Sequence, residues 1–195
     1  MSNKIILYTI TFLVAIFTLQ CGTSVQRLQT SKVVDLSGRW NDTDARLVAE
    51  EMVQDFMQSS FRTRFVDTYQ KLPVVIVGDI LNKSHEHIDA DPFIKSIERE
   101  LINMQSIRIV ANGAFRDKLR QERVENSISS INNRKYGLEL GADFMLLGTI
   151  NTIVDTKAEG KRNIVFYQID LNLVDLHTNE TVWIGQKKIK KFVKK

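Results

Sequence analysis

The 195-residue sequence is poor in the features that usually carry chemistry. It has one cysteine, Cys21, and a disulfide needs a partner. It has no glycine-rich phosphate loop: Gly137 and Gly141, four apart, lack the strand-turn-helix setting such a loop requires. No serine sits on a tight strand-to-helix elbow. There is no internal repeat and no sign of a second domain. The uncharged run from Ile5 to Leu19 covers about 15 residues, short of the roughly 20 that span a bilayer. These gaps exclude a phosphate-loop enzyme and a serine hydrolase of the elbow type, and the apolar run is too short to span a bilayer comfortably.

What is present begins with an address. Lys4 followed by the apolar run Ile5 to Leu19 fits the positive and hydrophobic regions of a secretory signal. Cys21 closes it, an arrangement that resembles a bacterial lipoprotein signal, in which the cysteine is lipidated and the chain cleaved before it. Thr18, Leu19 and Gln20 depart from the favoured pattern, which has a small residue just before the cysteine and Leu two further back. An uncleaved anchor and ordinary cleavage are the alternatives. On the lipoprotein reading, residues 1–20 are the signal peptide, Cys21 is the lipidation site and 21–32 is a short tether. Acyl chains would hold the protein on a membrane, each buried methylene contributing about 0.8 kcal/mol. Gly22 stands where some inner-membrane lipoproteins carry Asp, so the outer membrane, facing the periplasm, is the expected location. A lipidated Cys21 leaves no thiol nucleophile.

The net charge of +4 comes from the far end. Six of the last nine residues are lysines, Lys187, Lys188, Lys190, Lys191, Lys194 and Lys195. No aromatic-rich basic motif accompanies them, so nucleic acid is not an expected partner. They read as guards of an edge strand against edge-to-edge pairing, or as a contact for an anionic envelope surface or partner.

Between these ends lies one α/β domain, residues 33–195. Val33-Val34 opens the sheet. Asp42 or Thr43 caps a helix whose stripe is Ala45, Val48, Ala49, Met52, Val53 and Phe56. Phe61 to Leu72 is a connection with a helical turn. Val74 to Val77 is a strand buried on both faces, followed by a polar loop, Asn82 to His87. Asp91 caps the next helix, with Pro92 at its first position and Ile94, Ile97, Leu101 and Met104 on one face. Ile107 to Val110 is a short strand. Asn112-Gly113 starts a helix with Phe115 and Leu119 inward, and Ser127 to Ser130 is a loop or a frayed end of that helix. Asn132 to Leu140 is a weaker helix closed by Gly141. Phe144 to Ile153, an alternating strand through Val165, Tyr167, Ile169, Leu171 and Leu173, and Thr181 to Phe192 form a meander. Lys157 to Asn163 and His177 to Glu180 connect its strands. The expected architecture is a single mixed sheet with helices packed on it, parallel crossovers in the first half and an antiparallel meander at the C-terminus.

Two stretches attract functional attention. In His85, His87, Asp89 and Asp91, alternate residues of an extended segment point the same way and could converge on a metal. The simpler reading is a surface loop whose acids cap a helix, and no metal or other cofactor is expected. Trp40 lies beside Arg39 and Asn41, residue types favoured at partner hot spots; it could equally lie over the end of the sheet. Trp183 reads as core or sheet-face packing.

Several segments together resemble the LpoB-type penicillin-binding-protein activator family. They are Ser37 to Arg46 (SGRWNDTDAR), Pro73 to Asp89 (PVVIVGDILNKSHEHID), Gly141 to Gly148 (GADFMLLG), Thr178 to Trp183 (TNETVW) and the basic end at Lys187 to Lys191. The likeness spans roughly residues 33–192, and it is their order and spacing that match. The resemblance implies an envelope lipoprotein with a domain similar to the N-terminal domain of TolB. Such proteins bind the regulatory domain of a bifunctional peptidoglycan synthase, a penicillin-binding protein, and activate it without chemistry of their own. Well-studied members reach their synthase on a long disordered linker; here Cys21 to Val33 offers about 12 residues, at most roughly 40 Å. The expected contact surface is the loops Arg39–Asp44 and Asn82–His87, with Arg39, Trp40, Asn41, Asp42, Asn82, Lys83, His85 and His87 as its contact residues. Two other readings are a structural or secretion lipoprotein of the curli-assembly type, which shares this domain, and a metal-dependent hydrolase centred on His85 and His87.

Overall fold

A computed structural model describes residues 24–129, 141–156 and 162–194. They fall into two units that part between Lys32 and Val33. The proposed signal and Cys21, the expected helix at 132–140 and most of the expected connection at 157–163 lie outside the described residues. None of the helices described is long and apolar enough to cross a membrane.

From Val33 onward the elements are α1 (Asp42–Gln58), α2 (Ser60–Tyr69), β1 (Val74–Lys83), α3 (Asp91–Asn103), β2 (Arg108–Ile109), α4 (Gly113–Ser129), β3 (Phe144–Thr156), β4 (Arg162–Asp175) and β5 (Thr181–Lys194). The strands form one sheet in the order β2-β1-β3-β4-β5. β1 runs parallel to β2 and β3, while β3, β4 and β5 are antiparallel neighbours. The mixed sheet with a C-terminal meander is the expected one.

Alternation sets its two faces. Val165, Tyr167, Ile169, Leu171 and Leu173 of β4 are buried, together with Leu146 and Ile150 of β3 and Val75 and Val77 of β1. Against them pack the stripe of α1 from Ala45 to Phe56 and the α3 residues Phe93, Ile97 and Leu101. Phe93 and Ile97 are wholly buried, each contributing about 1.5–3 kcal/mol. Trp183 joins this side edge-on to Phe56 at 5.2 Å, lying over Gly185, where a Cβ would sit 2.3 Å from its ring.

Local expectations fail in instructive places. Val33-Val34 is not a strand; Val33 is 67% exposed. The segment from Phe61 is a full helix, because Phe61 and Phe65, four apart, pack edge-on against Phe144 at 4.8 and 5.3 Å. β1 continues past Val77 to Lys83 through a bulge between Val77 and Ile80, which shifts the apolar period. α1 is capped by Asn41, not Asp42 or Thr43. Asp91 is the first residue of α3 rather than its cap, and Asp89 takes the Asp91 N–H at 3.0 Å. Phe115 and Leu119 point outward, at 54% and 50% exposure. Ser127 to Ser129 are the end of α4 rather than a loop.

Candidate functional site

Residues 35–41 form a strap without regular structure. Its end is set by α1. Asn41 Oδ1 accepts the Asp44 N–H at 3.1 Å, and Asp44 Oδ2 accepts the Asn41 N–H at 3.0 Å, a reciprocal capping box. Its middle is set by Gly38, whose φ of +71° suits glycine and where a Cβ would fall 2.2 Å from Val193 Cγ2.

Two side chains from the sheet fasten the strap. Lys191 of β5 turns to the helix side and is 9% exposed. Its Nζ donates to Asp44 Oδ2 at 2.6 Å and to the Arg39 carbonyl at 2.9 Å, and lies 2.7 Å from Asp35 Oδ2. Burial works against its charge, but the hydrogen bonds to Asp35 and Asp44 outweigh it and hold the ammonium above the usual lysine range. The Lys191 hydrogen bond in turn holds the Asp35 carboxyl below its usual range, against some desolvation and with help from the Gly38 N–H at 2.9 Å.

The second fastening is Glu86. One oxygen accepts the Trp40 N–H at 3.1 Å and the other accepts the Tyr167 hydroxyl at 2.6 Å. Tyr167 is wholly buried. Burial, then its hydrogen bond to the Glu86 carboxylate and that group's charge, push the phenol far above its usual range, so it stays a donor. Glu86 is presented by a loop that ties itself: Asn82 Nδ2 donates to the Glu86 carbonyl at 2.8 Å, and Ser84 Oγ does so at 3.1 Å. The Trp40 ring settles between Phe93, at 6.1 Å and 80°, and Tyr167, at 5.7 Å and 54°.

The strap and this loop therefore meet. Between them runs an open groove of about 370 Å³, lined by Arg39, Trp40, Asn41 and Asp42 on one bank and by Glu86, His87 and Ile88 to Asp89 on the other, with Phe93 at its floor. Five of the eight expected contact residues line it. Three do not: Asn82 is spent inside its loop, Lys83 is exposed at the end of β1, and His85 Nδ1 is 2.6 Å from Thr152 Oγ1 on β3. The metal arrangement is not formed. Among the described residues no three His, Cys, Asp or Glu side chains are placed to hold an ion.

Of the residues that build the site, Asp44 and Glu86 lie within the two expected loops without being singled out, and Tyr167 and Lys191 lie outside them. Tyr167 reads as one more buried member of an alternating strand, and Lys191 as one lysine of six. Only the register, which places Lys191 opposite Val165 on the buried face, separates it from its neighbours.

A mixed sheet with three helices on one face and a groove of pinned loops at its end defines an α/β domain built around a recessed surface. The chain belongs to the LpoB family, peptidoglycan-synthase activator LpoB, whose model matches residues 44–189. Among solved structures, the LpoB C-terminal domains of Escherichia coli and Salmonella enterica are each 13% identical, covering 76% of this chain and 99% of theirs, with a TM-score of 0.47. Lipoprotein GNA1162 of Neisseria meningitidis is 14% identical, covering 62% of this chain and 83% of its own, with a TM-score of 0.40. Comparison with curated proteins found no match.

Proposed function

We propose that the protein is a non-catalytic envelope lipoprotein that binds and activates a bifunctional peptidoglycan synthase. Family membership supports the activator role. The observation that carries the choice of surface is the meeting of strap and loop in one groove around Trp40. Arg39 is exposed on its rim, while its backbone carbonyl is fixed by Lys191, so the side chain projects from a rigid base. A preformed surface binds without the cost of ordering its loops, which favours recognition. The best-placed acid, Glu86, has both oxygens engaged by protein donors, which suits positioning better than proton transfer. Cys21 would carry the lipid, placing the domain on the periplasmic side of the outer membrane.

The test is turnover. Purified protein added to a cognate synthase should raise its glycan polymerisation or its crosslinking. No stimulation of any synthase from the same organism would overturn the reading. Intact-mass measurement of the mature chain checks the anchor separately, through an acylated Cys21.

A further inference from the structure

The face of the sheet turned away from α1 and α3 is not uniform. At the middle of the β3–β4–β5 meander it is polar: Thr149, Asp170 and Gln186 stand in one row, and Asp170 accepts hydrogen bonds from Gln168 and Gln186 at 2.9 and 2.8 Å. Towards the far end the character changes. The register sets Ile153, Phe166 and Lys190 side by side, and beyond them Asp155, Ile164 and Phe192. Ile153 is 65% and Phe192 64% exposed. Lys188 stands in the preceding row. Four apolar residues are thus accompanied by Lys188, Lys190 and one acid. Lys188 and Lys190 are exposed and have no ion pair among the described residues, whereas Lys187 pairs with Glu51 and Lys191 with Asp35 and Asp44.

We propose that this end of the open face, Ile153, Ile164, Phe166 and Phe192 with Lys188 and Lys190, rests on an anionic lipid surface. Exposed apolar side chains among lysines that make no ion pair with the described residues are the pattern of interfacial binding, in which buried apolar surface and attraction to anionic headgroups add. Chain length points the same way and rests on the reading of Cys21 above: about 12 residues separate Cys21 from Val33, so an acylated chain keeps the domain within roughly 40 Å of the lipid. The groove around Trp40 lies on the helix side of the sheet, so a membrane-resting open face leaves it free.

The experiment uses the full chain with Cys21→Ser and a single new cysteine, Ile153→Cys, carrying an environment-sensitive fluorophore. Vesicles of phosphatidylglycerol with phosphatidylcholine should raise and blue-shift its emission, and phosphatidylcholine alone should not. The response should vanish near about 1 M salt, where the Debye length is about 3 Å. Lys188→Gln with Lys190→Gln should weaken partitioning roughly 30-fold, about fivefold per lysine. The same fluorophore at Leu47→Cys, exposed on α1, should stay silent. An equal response at Leu47, an equal response on uncharged vesicles, or none at all overturns the proposal. So does a response that follows protein concentration without vesicles, which would assign the face to a second copy of the chain. The fluorophore answers the same way whether or not Cys21 is acylated in the cell, so its failure leaves that reading standing.

Discussion

One strand carries two kinds of lysine. On the helix side of β5, Lys191 is nearly sealed among Asp35, Asp44 and the Arg39 carbonyl, and Lys187 reaches Glu51. On the open side, Lys188 and Lys190 stand in solvent. The residue type is the same, and the distance along the chain is one residue. Parity decides: antiparallel pairing puts Lys191 opposite buried Val165 and Lys190 opposite Phe166. A charge turned inward on an edge strand also guards that edge, since a pairing partner would have to accommodate it. The basic end is therefore not one feature. Lys187 and Lys191 turn to the helix side, where Lys191 organises the groove, while Lys188 and Lys190 face outward.

The sharpest way to break this contrast is Lys191→Met. It leaves Asp44 and Asp35 facing an apolar side chain, and removing one partner of a buried ion pair costs about 3–5 kcal/mol. Lys190→Met, one residue away, should change stability by no more than about 0.5 kcal/mol. Urea denaturation of both variants measures the difference. Next in size is Tyr167→Phe, which strips Glu86 of one donor and should cost about 1.5–3 kcal/mol, as for hydrogen bonds to charged groups. Its amide exchange should rise at Trp40, whose N–H shares that carboxylate.

The pH dependence follows from the same groups. Asp35 is held below its ordinary 3.8, so its contribution is complete above that value and is lost as pH falls through the folded one. Lys191 and Tyr167 are held above their ordinary 10.5 and 10.0, so theirs are complete below those values and are lost as pH rises through the folded ones. These three groups predict level stability between about pH 5 and 9, with a fall on either side. Thermal unfolding of Tyr167→Phe should show a shallower alkaline fall than the parent. The smallest effect on stability is at Arg39→Ala, within about 0.5 kcal/mol because the side chain is exposed and the carbonyl remains.

Much of this architecture was legible from residue order. The alternation from Val165 to Leu173 defined β4 and its buried face, and the stripe from Ala45 to Phe56 defined α1. Other elements were obscured by contacts made at long range. α2 has no side-chain cap, and two phenylalanines on Phe144 hold it. β1 hid its second half behind the bulge after Val77. α4 offered Phe115 and Leu119 as an inward pair, yet the Phe115 ring meets Lys95 Nζ at 5.2 Å and no core. In the site, the two loops were readable as exposed polar segments beside apolar strands. What joins them was not, because Glu86 lies 46 residues from Trp40 and Lys191 lies 147 from Asp44. Such pairs exist only once the register of five strands is fixed.

The central claim is that the groove between strap and loop is the surface that meets the synthase. Titrating a cognate synthase with the full chain tests it most directly, with Arg39→Ala and Lys83→Ala as the variants. Arg39→Ala should bind at least about fivefold more weakly, the loss of more than 1 kcal/mol that marks an interface side chain, while Lys83→Ala binds as the parent does. Equal affinity for all three, or a loss at Lys83 alone, would contradict the account.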